Sequence, residues 1–119
     1  MRKMRSRFKI FNQEGVQGGI SPLHFLYFLF AFYKVQFWRT KTGNEVDFIL
    51  RDGEIAIEVK GTSRVDKADL RSITIFQEEY KPEKSIVVCN EKHPRKHGEI
   101  EILPWQDFLS MLWNGDMTK

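Results

Sequence analysis

Two alternating segments on either side of Asp52-Gly53 constrain the fold of this chain more than any other feature. Glu45–Arg51, EVDFILR, and Glu54–Gly61, EIAIEVKG, alternate polar and apolar residues with a period of two, which predicts two strands. Asp-Gly between two such segments is a strong signal for a hairpin with a type I′ turn. A turn centred on Asp52 and Gly53 fixes the strand register, because a one-residue slip would move every side chain to the opposite face.

The predicted register separates an apolar face of the hairpin from a charged face. The apolar face is formed by six residues, in the pairs Leu50–Ile55, Phe48–Ile57 and Val46–Val59. On the other face Asp47 lies opposite Glu58, and Glu45 lies opposite Lys60. Two carboxylates directly across an antiparallel pair repel each other. A divalent cation between them would turn this repulsion into binding, since Mg²⁺ prefers one or two carboxylates together with water and phosphate oxygens.

The charged face therefore predicts a site for Mg²⁺ or Mn²⁺ held by Asp47 and Glu58. Lys60 can hold a phosphate or position an attacking water, and Glu45 is its neighbour on the same face. Two acids, a lysine and a divalent metal are the groups that hydrolysis of a phosphodiester requires. The alternative is a solvated strand face on which Lys60 pairs with Glu45 or Glu58, and surface ion pairs of this kind are common.

The rest of the pattern predicts a single α/β domain over residues 20–119, preceded by a basic, Gly-rich tail over residues 1–19. The predicted order is α-β-β-β-α-β-β-α around a central mixed sheet. The elements outside the hairpin are a helix over residues 21–34, a strand at Val35–Thr40, a helix at Asp66–Tyr80, strands at Ser85–Asn90 and Glu99–Leu103, and a last helix from Pro104 to Gly115. Glu91–Gly98 is predicted to be a polar loop.

Charge and cysteine content exclude several classes of protein. Residues 1–40 hold seven basic side chains and one acidic one, so the basic character of the chain belongs to its first third. The single cysteine, Cys89, excludes a disulfide scaffold and a zinc finger and favours a cytoplasmic location. The most apolar stretch, Pro22–Tyr33, is shorter than the roughly 20 residues that a membrane-spanning helix needs. We therefore expect no membrane span.

The hairpin resembles that of the PD-(D/E)XK nucleases in Asp47 and in Glu58-Val59-Lys60, followed by a helix and a buried strand. The superfamily has a restriction-endonuclease-like, three-layer core. Residues 35–115 resemble more closely the C-terminal domain of a family of bacterial and archaeal AAA-type ATPases, in WRTKTGNEVDFIL, IAIEVKGTSRV, IVVCN and IEILPWQDFLSMLW. The chain has no G-x-x-x-x-G-K-[ST] motif, so we expect no ATP binding of that kind. The resemblance implies the C-terminal remnant of a longer protein.

The resemblance implies a metal-dependent deoxyribonuclease with Asp47, Glu58, Lys60 and Glu45 in its catalytic site. Its implied substrate is DNA, whose backbone would be contacted by Arg39, Lys41, Lys92, Arg95 and Lys96. In the superfamily the helix before the hairpin usually brings an acidic residue to the metal, and Pro22–Tyr33 contains none. Two alternatives stay open: a catalytically degenerate module that binds nucleic acid or a partner protein, and an interaction domain whose strand-face charges are structural. A homodimer is also an open alternative.

Overall fold

A computed structural model describes residues 3–6 and 35–115 of the chain. In this part of the chain seven strands form one sheet, and two α-helices accompany it. The strands are β1 (Lys3–Ser6), β2 (Val35–Arg39), β3 (Glu45–Leu50), β4 (Ile55–Val59), β5 (Lys84–Cys89), β6 (Arg95–His97) and β7 (Ile100–Pro104). The helices are α1 (Arg71–Tyr80) and α2 (Trp105–Trp113).

The sheet is mixed, with the strand order β1-β2-β3-β4-β5-β7-β6. Strands β1 to β4 are antiparallel neighbours, whereas β4, β5 and β7 run parallel to one another and β6 is antiparallel to β7. Helix α1 forms the crossover from β4 to β5, which parallel neighbours require. The predicted α/β fold with a central mixed sheet is confirmed.

The two faces of the sheet carry separate apolar cores. On the α1 face, Trp38 and Ile49 of the sheet pack with Ile73 and Phe76 of α1, and Trp38 meets Phe76 edge to face at a ring distance of 5.3 Å. On the α2 face, the sheet residues Val35, Phe48, Leu50, Ile55, Ile57, Ile86, Val88 and Leu103 form a core with Phe108 and Leu112 of α2. The apolar residues of each helix lie three or four positions apart, so they share one face of the helix and are buried against the sheet. The described residues thus form three layers.

The predicted hairpin register is confirmed next to the turn. Phe48 pairs with Ile57, and Leu50 pairs with Ile55. Asp52 (φ 57°, ψ 38°) and Gly53 (φ 103°) have the left-handed backbone that the central residues of a type I′ turn require, and Arg51 before them also has a positive φ of 54°. The backbone N–H of Glu54 closes the turn by donating to the carbonyl oxygen of Arg51 at 3.3 Å.

The predicted register is wrong at the other end of the hairpin, because β3 contains a bulge. Gln36 of β2 pairs with Ile49, and Trp38 pairs with Val46. Between these two pairs β2 has one residue and β3 has two, so β3 contains one extra residue. The extra residue reverses the alternation of side chains along β3. Val46 therefore joins the core of the α1 face. Its expected partner Val59 is 44% exposed.

Two strands lie where the sequence predicted a tail and a loop. Lys3–Ser6 pairs with β2 at one edge of the sheet, and Arg95–His97 pairs with β7 at the other. Both segments are short and strongly basic, so neither has the apolar alternation that indicates a strand. Charged side chains are common on edge strands, where they discourage pairing with further chains.

The first described helix begins later than predicted. Asp66 and Asp69 exchange hydrogen bonds, each backbone N–H donating to the other carboxylate at 3.0 Å, and α1 begins only at Arg71. Reciprocal bonds of this kind satisfy the free N–H groups at a helix start. The predicted helix over residues 21–34 lies outside the described residues. Neither described helix is long and apolar enough to cross a membrane.

We expect the substitution Gly53→Ala to lower the free energy of unfolding by about 1–2 kcal/mol, because the left-handed backbone at this position penalises a Cβ atom. Gly61→Ala is the matched control, since Gly61 has an ordinary φ and open space where the Cβ would lie. Urea denaturation measures both. Equal stability of the two variants would contradict the turn assignment.

Candidate metal and nucleic-acid site

The candidate site lies at the end of the sheet where the parallel strands β4, β5 and β7 reach their carboxyl ends. Glu58 is the penultimate residue of β4, and Lys60 follows the strand directly. Because β3 is antiparallel to β4, Glu45 and Asp47 at the start of β3 lie at the same end. In α/β proteins, ligands usually bind outside the carboxyl ends of the parallel strands.

Glu58 is a buried acid on the α1 face of the sheet. It is 3% exposed and pairs with Val87 of β5. The Nζ atom of Lys60 lies 3.2 Å from Glu58 Oε2, and neither carboxylate oxygen accepts a hydrogen bond from another described donor. A buried carboxylate needs several donors or a cation to offset its lost hydration. One partly exposed ammonium group satisfies only part of this need.

Burial raises the pKa of Glu58 from 4.5 to about 7. The Lys60 ammonium opposes this rise, whereas the carboxylates of Asp47 and Glu45 add to it. Burial alone would lower the pKa of Lys60, but the nearby acids, Glu58 first and then Asp69 and Asp47, together raise it. Lys60 therefore stays cationic. A further positive charge next to Glu58 would stabilise its buried carboxylate.

Asp47 reaches the site through the backbone of β4. Its Oδ2 atom accepts a hydrogen bond from the backbone N–H of Val59 at 2.8 Å. The predicted ladder pair of Asp47 with Glu58 is absent, because the pairing of β3 with β4 ends at Phe48 and Ile57. The Asp47 carboxylate therefore still lies at Val59, the residue between Glu58 and Lys60.

Glu45 has a different partner from the one predicted. Its Oε2 atom lies 3.0 Å from both Nε and Nη2 of Arg39, a second predicted site residue. The backbone N–H of Glu45 donates to Ser72 Oγ at 3.3 Å, and this hydroxyl donates to Asn44 Oδ1 at 3.2 Å. Glu45 and its neighbours thus tie the start of β3 to the first turn of α1, and the predicted pair with Lys60 is absent.

Arg95, predicted to contact DNA, is bound within the protein. Its Nε and Nη2 atoms each lie 2.8 Å from one oxygen of Glu91, and Nη2 also donates to the Val65 carbonyl oxygen at 2.9 Å. The Val65 N–H donates to Glu91 Oε2 at 2.7 Å. The hydrogen bond from Arg95 lowers the pKa of Glu91 to about 2. This Arg95 clamp, formed by Arg95, Glu91 and Val65, joins the segment after Lys60 to β5 and β6.

The other predicted basic residues are exposed and lie in different places. Lys41 is in the turn between β2 and β3, at the same end of the sheet as the carboxylates. Lys92 follows β5 at that end, whereas Lys96 lies on the edge strand β6. Sequence reasoning missed Asp69, which acts on Lys60 from the turn before α1. The spacing Asp66-x-x-Asp69 before an apolar helix could have indicated it.

The chemistry of Asp47 and Glu58 fits a divalent cation with oxygen ligands. Mg²⁺ binds proteins through one or two carboxylates and keeps several waters, so two acids are sufficient. The incompletely satisfied carboxylate of Glu58 is the observation that supports this fit. Among residues 3–6 and 35–115, no group of three or more His, Cys, Asp or Glu side chains could hold a metal.

Comparison with protein families finds a match over most of the chain. The model of a domain of unknown function, DUF4143, matches residues 28–108, which is well over half of the chain. The chain belongs to the DUF4143 family. The match includes the β3–β4 hairpin, α1 and the Arg95 clamp, so the candidate site lies within the DUF4143 domain. No curated protein and no solved structure matches the chain.

We expect Glu58→Gln to stabilise the metal-free DUF4143 domain at pH 8, by at most about 3 kcal/mol, and to have no such effect at pH 5. A carboxyl whose folded-state pKa lies above its unfolded value binds protons more tightly when folded. Its contribution to stability therefore falls as the pH rises from 4.5 through about 7. Melting temperatures in EDTA at both pH values measure the effect.

Glu78→Gln is the control for this comparison, because Glu78 is an exposed acid of α1 that does not contribute to the raised pKa of Glu58. It should show no gain in melting temperature that depends on pH in this direction. An equal response of the two variants would contradict the account of Glu58 burial.

We expect Arg95→Ala to lower the free energy of unfolding at pH 7 by about 1 kcal/mol, since charge-assisted hydrogen bonds are lost at a partly screened position. The pKa of Glu91 is depressed, so this stability is present above pH 4.5 and is lost as the pH falls toward 2. Denaturant unfolding at pH 7 and pH 3 should show a smaller difference between variant and wild type at pH 3. Lys96→Ala, next to Arg95 on β6, should be neutral, and equal losses in both variants would contradict the clamp.

Proposed function

We propose that this DUF4143 domain is a nuclease domain that uses a divalent cation to hydrolyse phosphodiester bonds in DNA. The observation that carries the proposal is Glu58, a buried carboxylate with Lys60 as its close partner and Asp47 on the adjacent strand. Two acids and a lysine at the carboxyl end of a sheet are suited to a phosphate substrate and a metal.

Asp47 and Glu58 are the residues that would hold Mg²⁺ or Mn²⁺. A bound divalent cation supplies Lewis-acid polarisation of the phosphodiester and stabilises negative charge in the transition state. The hydrogen bond from Val59 N–H fixes the Asp47 carboxylate in one orientation, and burial between sheet and α1 fixes Glu58. Fixed ligands lower the reorganisation that the reaction requires.

Lys60 has the properties of a residue that holds the scissile phosphate or orients the attacking water. Its side chain is 36% exposed, and the neighbouring acids keep it cationic. Its backbone N–H donates to the Val88 carbonyl oxygen at 2.8 Å, which fixes the point from which the side chain extends. A phosphate oxygen at the mouth of the site would be a further acceptor for this ammonium group.

The proposal includes a restriction-endonuclease-like core for the described part of the chain. The arguments in favour are the antiparallel β3–β4 hairpin that carries the acids, the α1 crossover to a buried parallel strand, and helices on both faces of the sheet. These features agree with the resemblance of Asp47 and Glu58-Val59-Lys60 to the PD-(D/E)XK pattern.

A second candidate function is a nucleic-acid-binding module without catalysis. The observation that favours it is the ion pair of Lys60 with Glu58, together with the lack of a third acid that could join a metal site among the described residues. A lysine can offset part of the charge of one buried carboxylate without a metal. The two functions differ in whether DNA is cut.

Nicking of supercoiled plasmid in Mg²⁺ or Mn²⁺ tests the proposal. We expect activity in the wild-type chain and a loss of at least about 100-fold in rate for Asp47→Asn and Lys60→Ala, since each removes an interaction made in the transition state. Asp107→Asn, an exposed acid in the first turn of α2, is the matched control and should leave the rate unchanged.

Two results would overturn the nuclease proposal. Equal nicking by all four proteins would assign the activity to a contaminant. No nicking by folded wild-type protein that still binds DNA would favour the module without catalysis.

A further inference from the structure

We propose that residues 61–67, the Arg64 loop, bind the sugar-phosphate backbone of a nucleic acid through Arg64 and Lys67. The inference rests on the proposed function, because it assigns the surface that holds the substrate beside the candidate site. Neither residue belongs to the set that the sequence predicted for DNA binding.

The Arg64 loop begins and ends at the candidate site. It leaves β4 directly after Lys60, and Asp69, two residues after Lys67, acts electrostatically on Lys60. Reciprocal bonds between Asp66 and Asp69 then lead into α1. A phosphate bound by Arg64 or Lys67 would therefore lie close to the phosphodiester held at Lys60.

The backbone of the loop is fixed by hydrogen bonds along its length. Asn90 N–H donates to the Thr62 carbonyl oxygen at 2.9 Å, which extends the pairing with the segment after β5. Thr62 Oγ1 accepts from Arg64 N–H at 3.1 Å and donates to the Arg64 carbonyl oxygen at 3.0 Å. The Arg95 clamp holds Val65, which is buried. An ordered loop loses little entropy when its side chains bind a ligand.

The loop presents two exposed cations from this fixed backbone. Arg64 and Lys67 are exposed, and neither forms an ion pair with another described residue. Arg64 lowers the pKa of Glu91 through space, as a minor contributor after Arg95 and the Val65 N–H. A guanidinium group matches two phosphate oxygens, and an ammonium group binds a third as a point charge.

The distribution of charge favours a nucleic acid over an anionic membrane. The exposed residues of the loop are polar, and its one large apolar side chain, Val65, is buried. The acids Asp66 and Asp69 lie next to Lys67, so the surface has separate cations and no continuous basic face. Membrane binding requires an inserted apolar face or a cluster of basic residues. Separate cations suffice for the regularly spaced phosphates of a nucleic acid.

The test is the salt dependence of binding to a fluorescein-labelled DNA duplex, measured by fluorescence anisotropy in EDTA. Each phosphate contact contributes about 0.9 to the slope of log K against log salt concentration. We expect the double variant Arg64→Gln/Lys67→Gln to bind more weakly and to have a slope smaller by about 2. Lys81→Gln at the opposite end of α1 is the matched control and should retain the wild-type slope. Arg64→Lys should retain most of the slope, because the charge remains.

The outcomes separate this inference from the proposed function. An unchanged slope in the double variant, or no binding by the wild type, would overturn the inference. The same proteins are also tested for binding to vesicles of anionic phospholipid. If the double variant no longer binds vesicles but keeps the wild-type salt slope for DNA, the inference is overturned in favour of a membrane surface. A reduced slope supports the inference whether or not the wild type nicks plasmid DNA, and a lack of nicking alone overturns only the nuclease proposal.

Discussion

Burial of the Glu58 carboxylate is the constraint on which the candidate site depends. Strand β4 places this acid on the α1 face of the sheet, where water cannot solvate it fully, and Lys60 is the one cation paired with it among residues 3–6 and 35–115. The cost appears as a pKa raised to about 7. A carboxylate at this position weakens the folded state unless a cation offsets its charge, and that is why Glu58 indicates function more strongly than the exposed acids do.

The bulge in β3 gives the site its geometry. It ends regular pairing with β4 after Phe48, and the Asp47 carboxylate takes the Val59 N–H that a ladder bond would otherwise use. The same interruption leaves Val59 exposed at the mouth of the site. A regular hairpin would instead have set Asp47 directly opposite Glu58. Bulges often re-aim side chains next to functional sites, and this one brings two acids and a lysine to the end of the sheet.

The sequence predicts the register of the hairpin and the packing of α1 because each depends on a local period of apolar residues. Leu50, Phe48, Ile73 and Phe76 are buried as their spacing predicts. The bulge has no such signal, because EVDFIL has the same pattern whether or not β3 contains an extra residue relative to β2. The pattern therefore predicts the wrong face of the sheet for Val46. The role of Arg95 was also missed, because its partner Glu91 and the carbonyl of Val65 come together only after β5 and β6 join the sheet.

Titration of Mn²⁺ into the purified chain by isothermal calorimetry tests the central claim most directly. We expect one binding event per chain in the wild type, its loss in Glu58→Gln, and its retention in Asp107→Asn, whose acid lies on the first turn of α2. Melting curves of the three proteins would establish that each is folded. Equal Mn²⁺ binding by wild type and Glu58→Gln would contradict the claim that this buried carboxylate holds a divalent cation.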